Sequence, residues 1–277
     1  MEFLQFQLEV RHANWPYLSQ LFLAFLFFGV LGYFLIPDVF FLPYLILDAF
    51  VFLSLTQFHL HNIRSEYFKL THYKTQAVQE LISLLPLRAP LPPMTGWAAT
   101  PELALNVMRT IQIEKPKQIL EIGSGVTTVI CAYSLEKFNP EGKILSVDHD
   151  KEYARKTENE LDIHTLSSYA EIVHAPLTDM KVNGEPSIWY RLDFEEITEP
   201  VDLLIIDGPP LKTRPFARYP ALPLLFDQLS ENATIIMHDT DRNNESNTVQ
   251  RWMKEFPDMV KTELQTEKGI TIFKKRG

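Results

Sequence analysis

The stretch Gln118-Ile-Leu-Glu121-Ile-Gly123-Ser124-Gly125-Val-Thr127-Thr128 decides the fold. It reads as an apolar strand that runs into a glycine turn and then a helix. Glycine lets the backbone turn tightly and approach a ligand with no side chain in the way, and the free amides at the helix start can receive an anionic group. The carboxylate of an amino-acid-like ligand suits that end. A glycine pair alone serves equally well as a purely structural turn, so its weight depends on the neighbouring strand. The next apolar run, Ile144-Leu-Ser-Val-Asp148, ends in an acid 25 residues after Gly123. At the end of a neighbouring strand a carboxylate can accept hydrogen bonds from ribose hydroxyls.

Around this pair, apolar runs bounded by turn residues alternate with helical patterns, the signature of repeated βαβ units. Strands are predicted over 118–122, 143–147, 170–174, 201–206 and 233–237, followed by a helix near 246–255 and a terminal strand pair at 260–264 and 269–273. The fold class is therefore α/β: a Rossmann-like, doubly wound, mostly parallel seven-stranded sheet. This domain is expected over 94–277. Before it, 61–85 carries apolar residues (Leu70, Tyr73, Ala77, Leu81, Leu84) at helical spacing, and 86–93 holds four prolines and reads as a linker.

The first 60 residues are unlike the rest: they hold one basic residue, Arg11, and four acidic ones, Glu2, Glu9, Asp38 and Asp48. Tyr17 to Ile36 is a run of 20 residues without a charge, the length a helix needs to cross a bilayer. A second apolar run, Val39 to Leu60, follows the turn-forming pair Pro37-Asp38; its central Asp48 would cost about 2.5–3.5 kcal/mol on insertion. A membrane anchor of one or two transmembrane helices, in contact with lipid over 17–60, is the expectation. Arg64, Lys69 and Lys74 follow the second run and Arg11 precedes the first, so a hairpin would leave the catalytic domain facing the cytoplasm. Removing the anchor's charges from the totals of 26 basic and 35 acidic residues leaves 25 and 31, a mildly acidic balance that argues against a nucleic-acid partner. The single cysteine, Cys131, excludes an internal disulfide and a zinc-thiolate cluster.

Two cofactor classes use a glycine turn followed by a strand-end acid. The nicotinamide fingerprint asks for a third glycine where Thr128 stands. Glu121-Ile-Gly-Ser-Gly, Asp148, Ile205-Ile-Asp207-Gly-Pro-Pro and Ile236-Met-His238-Asp239 instead resemble the ordered motifs of class I S-adenosylmethionine-dependent methyltransferases, with a similarity that runs from about Met94 to Lys275. The resemblance implies cofactor contacts at Glu121, Gly123, Ser124, Gly125, Thr127, Thr128, Asp148, His149, Ala175 and Asp207: the turn around the methionine moiety, Asp148 on the ribose, His149 and Ala175 near the adenine. Met94-Thr-Gly-Trp97 resembles the segment that folds over the cofactor in catechol-type relatives, although Trp97 could equally be a packing anchor. The acceptor would be a small molecule, a glycan or a membrane-proximal, lipid-linked compound.

In catechol O-methyltransferase-like enzymes the ends of the strands that here carry Asp207 and Asp239 hold a divalent metal on the acceptor oxygens. Magnesium on Asp207, Asp239 and Asp241 is the corresponding expectation. Thr240 departs from that pattern, standing where those relatives have an asparagine. Without metal, His238 or Asp239 would take the hydroxyl proton, which makes Asp239, His238 and Asp207 the catalytic candidates. Trp189, Tyr190, Tyr219 and Trp252 are candidates for an acceptor pocket or for the core. A nicotinamide-dependent oxidoreductase and a catalytically silent, membrane-tethered binding module stay open as alternatives.

Overall fold

Long apolar runs that find no partner strand satisfy their backbone hydrogen bonds within helices, and the first 84 residues form two of them: α1 (Glu2–Leu35) and α2 (Asp38–Leu84). They are followed by α3 (Pro101–Glu114), β1 (Gln118–Ile122), α4 (Val126–Phe138), β2 (Lys143–Asp148), α5 (Lys151–Ile163), β3 (Ala170–His174), β4 (Leu177–Val182), β5 (Glu185–Tyr190), β6 (Val201–Ile206), α6 (Ala221–Leu225), β7 (Leu229–His238), α7 (Asn243–Glu255), β8 (Val260–Leu264) and β9 (Ile270–Lys274). This computed structural model describes residues 2–192, 197 and 199–275. The chain divides into two compact units, Met1–His72 and Tyr73–Gly277.

In the first unit α1 turns at Ile36-Pro37 into α2, and the two helices pack on each other. The ring of Phe25 lies 5.0 Å from that of Phe52, and the Tyr44 hydroxyl donates to the Phe28 carbonyl at 2.7 Å. Gly32 makes this approach possible: a Cβ there would come within 2.1 Å of the Tyr44 ring. Both helices are long and apolar enough to cross a membrane, with mean hydropathies of 2.0 for Pro16–Leu35 and 2.1 in the most apolar part of α2. Large apolar side chains such as Phe27, Phe34, Phe40 and Phe50 are exposed on them.

The second unit is built on a seven-stranded sheet of order β3-β2-β1-β6-β7-β9-β8. Its first five strands are parallel, and β9 and β8 close the edge antiparallel. Strand alternation sends Ile119, Ile144, Leu203 and Ile205 into one core and Leu120, Leu145, Leu204 and Ile206 into the other. α3 starts cleanly because the Thr100 hydroxyl caps the Leu103 amide and Pro101 occupies the first helical position; it stops at Lys115, which turns left-handed before Pro116.

Two features differ from the sequence expectation. A separate β4–β5 hairpin follows β3, turning through Asn183 and Gly184, both at positive φ, and it buries Trp189 and Tyr190. Asn-Gly between alternating strands is a strong hairpin signal, and no strand is expected there from the apolar runs alone. In addition, Ala77, Leu81 and Leu85 are buried in the first core, with Leu87 and Leu91 packed against it. The proline-rich segment is itself pinned: the Arg88 amide donates to the Tyr133 hydroxyl at 2.8 Å and its guanidinium to the His164 carbonyl at 3.0 Å. Leu81→Ala should accordingly destabilise the second unit by about 2–5 kcal/mol, the range for truncating a buried leucine. Denaturant unfolding followed by near-UV circular dichroism checks this, and an unchanged midpoint would mean that the end of α2 is not part of the core.

Candidate active site

β1 and β2 end side by side, and their ends are tied together by one carboxylate. The Ser124 amide and hydroxyl both donate to Asp148 Oδ2, at 3.0 and 2.7 Å, while the Asp150 amide donates to Oδ1 at 2.9 Å. Burial by itself would raise the Asp148 pKa. Hydrogen bonds from His149, Asp150 and Ser124 outweigh it and hold the carboxyl below its ordinary value. Gly123 adopts φ 99° and sits against β6, where a Cβ would lie 3.2 Å from the Asp207 carbonyl carbon and the Gly208 nitrogen. No other residue fits both constraints.

Below the turn, Glu121 is fully buried and accepts from the Thr128 hydroxyl at 2.5 Å and the Ser146 hydroxyl at 2.7 Å. Thr128 in turn accepts from the Gly125 amide at 3.0 Å. Desolvation pushes the Glu121 pKa up to about 7 despite these bonds. Glu121 and Thr128 therefore brace the glycine turn from beneath.

Above the turn opens a cavity of about 620 Å³, a normal size for a small-molecule site. Of the residues expected on cofactor or acceptor, Gly123, Ser124, Gly125, Thr127, Asp148, His149, Asp207 and Asp239 line it. Glu121, Thr128, Ala175, His238 and Asp241 are not among its lining residues. Ala175 is buried, its amide donating to the Asp148 carbonyl at 2.8 Å. The His238 ring is committed on both sides, to Asp207 Oδ1 at 2.9 Å and the Thr100 hydroxyl at 3.5 Å. Asp241 turns towards Gly269, in the turn between β8 and β9. Of the four aromatic candidates, Tyr190 lines the cavity, whereas Trp189, Tyr219 and Trp252 are buried in the second core. Trp97 is no packing anchor: it is 70% exposed at the cavity mouth beneath the Lys212 ammonium, on a segment held by Lys268 hydrogen bonds to the Gly96 and Ala98 carbonyls.

The acidic end of the cavity contains a residue the sequence does not single out. Arg218 is 3% exposed, and its guanidinium bonds Asp239 Oδ2 at 2.7 Å and the His238 carbonyl at 2.8 Å, and reaches Asp207 Oδ1 at 3.4 Å. Arg242 reaches the same Asp239 oxygen at 2.8 Å. Burial would raise the Asp207 pKa, but the attraction of His238 and Arg218 prevails and keeps it below the ordinary carboxylate value. Asp207, His238 and Asp239 each offer a ligand atom within 4.8 Å of the others. As arranged, however, they do not fit a metal. Asp207 Oδ1 is engaged by His238 and Arg218, Asp239 Oδ2 by Arg218 and Arg242, and the two guanidinium groups already balance the two carboxylates. Asp239 Oδ1, buried, has no hydrogen-bond partner among the described residues.

Comparison with known proteins agrees with this geometry. Residues 120–240 match the model of a family described as a methyltransferase domain. The fold is similar to that of the O-methyltransferase TomG from Streptomyces achromogenes, solved in complex with S-adenosylmethionine, at a TM-score of 0.53 and 15% identity over 75% of this chain and 99% of that one. A candidate O-methyltransferase from Klebsiella pneumoniae gives a TM-score of 0.53 and 15% identity over 76% of this chain and 100% of that one. At such identity the likeness is one of fold. No curated protein matches the sequence significantly. Fold, motif order and family model together mark residues 120–240 as a methyltransferase domain. The chain is accordingly a methyltransferase.

The buried Glu121 makes a pH prediction. Its folded pKa, about 7, lies above the ordinary 4.5, so the stability linked to its proton is complete below about 4.5 and lost as pH rises through 7. Between pH 5 and 8 the natural chain should lose about 2 to 3 kcal/mol more stability than Glu121→Gln, in which the amide cannot ionise. Parallel denaturant titrations across that range test it, and identical slopes for the two proteins would mean that Glu121 stays charged.

Proposed function

We propose that this methyltransferase moves the methyl group of S-adenosylmethionine onto an oxygen of a small-molecule, glycan or lipid-linked acceptor, with Asp239 taking the acceptor proton. The observation that carries this reading is a single cavity flanked by two carboxylates at the strand ends. Asp148 Oδ1 accepts from the Asp150 amide at 2.9 Å and has the His149 ring nitrogen 3.4 Å away, and we place the ribose hydroxyls at this carboxylate and the adenine beside His149. Asp239 Oδ1 is left without a partner by the surrounding residues described, while its Oδ2 is fixed by two arginines. The glycine turn would hold the methionine moiety between them.

In the reaction a lone pair of the acceptor oxygen attacks the sulfonium methyl in line. The methyl–sulfur bond breaks, S-adenosylhomocysteine leaves, and the acceptor proton passes to Asp239 Oδ1. A sulfonium is a strong methyl donor, so the protein contributes mainly by holding nucleophile and methyl in attack geometry and by receiving the proton as it acidifies. His238 serves as scaffold in this account, since both its ring nitrogens are already bonded. Magnesium on Asp207, Asp239 and Asp241 has no step here. The O-methyltransferases of similar fold support oxygen as the nucleophile.

The helical hairpin is proposed as the membrane anchor, with 1–60 in contact with lipid, 61–93 leading out of it and packing from Ala77 onward into the core of the second unit, and 94–277 carrying most of the cleft. The exposed apolar side chains of α1 and α2 support this, and the basic residues that flank the hairpin support a cytoplasmic face. An acceptor at or near the bilayer is the consequence of that placement.

Methyl-labelled S-adenosylmethionine incubated with the chain and a membrane extract should deliver label to small or lipid-extractable molecules; label found in nucleic acid would contradict the reading. Asp148→Ala should weaken S-adenosylmethionine binding by roughly tenfold to a hundredfold, the worth of a hydrogen bond to a charged group, and calorimetry showing unchanged affinity would remove it from the site. Asp239→Asn should keep cofactor affinity yet slow transfer by about a hundredfold or more, the usual contribution of a positioned base. An equal loss of both would instead place Asp239 on the cofactor.

A further inference from the structure

The cation at the acceptor end of the cavity is part of the chain. We infer that the Arg218 guanidinium takes the place of a divalent metal, bridging Asp207 and Asp239 so that this active site orients its acceptor without a metal ion. The inference rests on the proposed placement of the acceptor at Asp239.

Three observations carry it. Arg218 lies in the cavity wall but is almost wholly buried, and its three closest bonds go to the ends of β6 and β7: Asp239 Oδ2, the His238 carbonyl and the Asp207 carbonyl, at 2.7, 2.8 and 3.1 Å. A hard cation seeks carboxylate and carbonyl oxygens of just this kind. Next, the carboxylate oxygens that a cation at this end would use are already taken, Asp207 Oδ1 by His238 and Arg218 and Asp239 Oδ2 by Arg218 and Arg242. Finally, the planar fork of arginine is fixed in charge and geometry, suited to holding two acceptor groups at once. A divalent ion entering this cluster would have to expel a guanidinium that the two carboxylates hold.

Arg218 also accounts for Asp239. The chain leaves β7 with Asp239 at φ 61°, an uncommon conformation for a residue other than glycine. In that conformation Oδ2 meets Arg218 and Arg242, which leaves Oδ1 for the acceptor hydroxyl. Arg218 is thus a positioning residue: it sets the carboxylate that touches the acceptor and supplies positive charge beside it. A consequence is that the three potential ligands Asp207, His238 and Asp239 form a latent metal site that becomes available once the guanidinium is gone.

The test is titration of Mn2+, a paramagnetic stand-in for magnesium, into the full chain in detergent with S-adenosylhomocysteine present. Electron paramagnetic resonance reads the free ion, and the Asp239→Asn chain serves as the blank for surface binding. The natural chain should bind no Mn2+ beyond that blank. Arg218→Ala should gain one Mn2+ at least about tenfold tighter than the natural chain, and the gain should vanish in the Arg218→Ala, Asp239→Asn double variant. Stoichiometric, Asp239-dependent Mn2+ binding by the natural chain would overturn the inference, and that arm requires no Arg218 variant to fold. A folded Arg218→Ala chain, recognised by its retained S-adenosylhomocysteine binding, that gains no Mn2+ would overturn it as well. Loss of S-adenosylhomocysteine binding by the natural chain would count against the cofactor reading instead, and the Mn2+ arm can be run without that ligand.

Discussion

The pair of hydrogen bonds from Ser124 to Asp148 is the constraint on which the rest of the cleft depends. Parallel strands all deliver their carboxyl ends to the same edge, where loops rather than neighbouring strands must complete the backbone hydrogen bonds. Here the β1 loop is completed by the β2 side chain. Asp148 holds the Ser124 amide and hydroxyl, Gly123 donates to the Val147 carbonyl, and the first turn of α4 is braced from below by Glu121 through Thr128. The glycine turn is thereby rigid before a ligand arrives, so little ordering cost falls on binding.

The opposite end of the cavity is held by a charge cluster that neutralises itself. Buried ions are costly unless paired and hydrogen-bonded, and here the carboxylates of Asp207 and Asp239 meet the guanidinium groups of Arg218 and Arg242, with the His238 ring bonded to Asp207. Rigidity and polarity are therefore combined at the end of the cavity where we propose that the acceptor sits. Asp239 Oδ1 and Arg218 Nε are buried without a partner among the described residues, and an orphaned buried polar atom is tolerated mainly where a ligand or water completes it.

The parallel sheet is legible in the sequence because its strands are buried on both faces and read as uninterrupted apolar runs between turn residues; the expected bounds of β1, β3, β6 and β8 match the structure to the residue. The hairpin escapes that reading although Asn183-Gly184 announces it, since its alternation is weak on the exposed strand. Motif reading finds the cleft residues Gly123, Ser124, Gly125, Thr127, Asp148, His149, Asp207 and Asp239 but does not separate a residue that lines the cavity from its neighbour facing inward. Glu121 sits two positions before Gly123 and points to the interior, and His238 precedes Asp239 yet lies beneath it. Arg218 is beyond any local pattern. It reaches Asp207 and Asp239 across 11 and 21 residues of chain, from a proline-rich loop that has no periodicity to read.

The central claim is that this cleft binds S-adenosylmethionine and its product in preference to other ligands of strand-turn-helix nucleotide sites. Competitive calorimetry measures it most directly, with S-adenosylhomocysteine titrated into the full chain in the absence and in the presence of saturating NADH. The account predicts saturable one-to-one binding of S-adenosylhomocysteine with an affinity that NADH leaves unchanged. Binding of NADH that displaces S-adenosylhomocysteine, or no heat from S-adenosylhomocysteine at all, would contradict it.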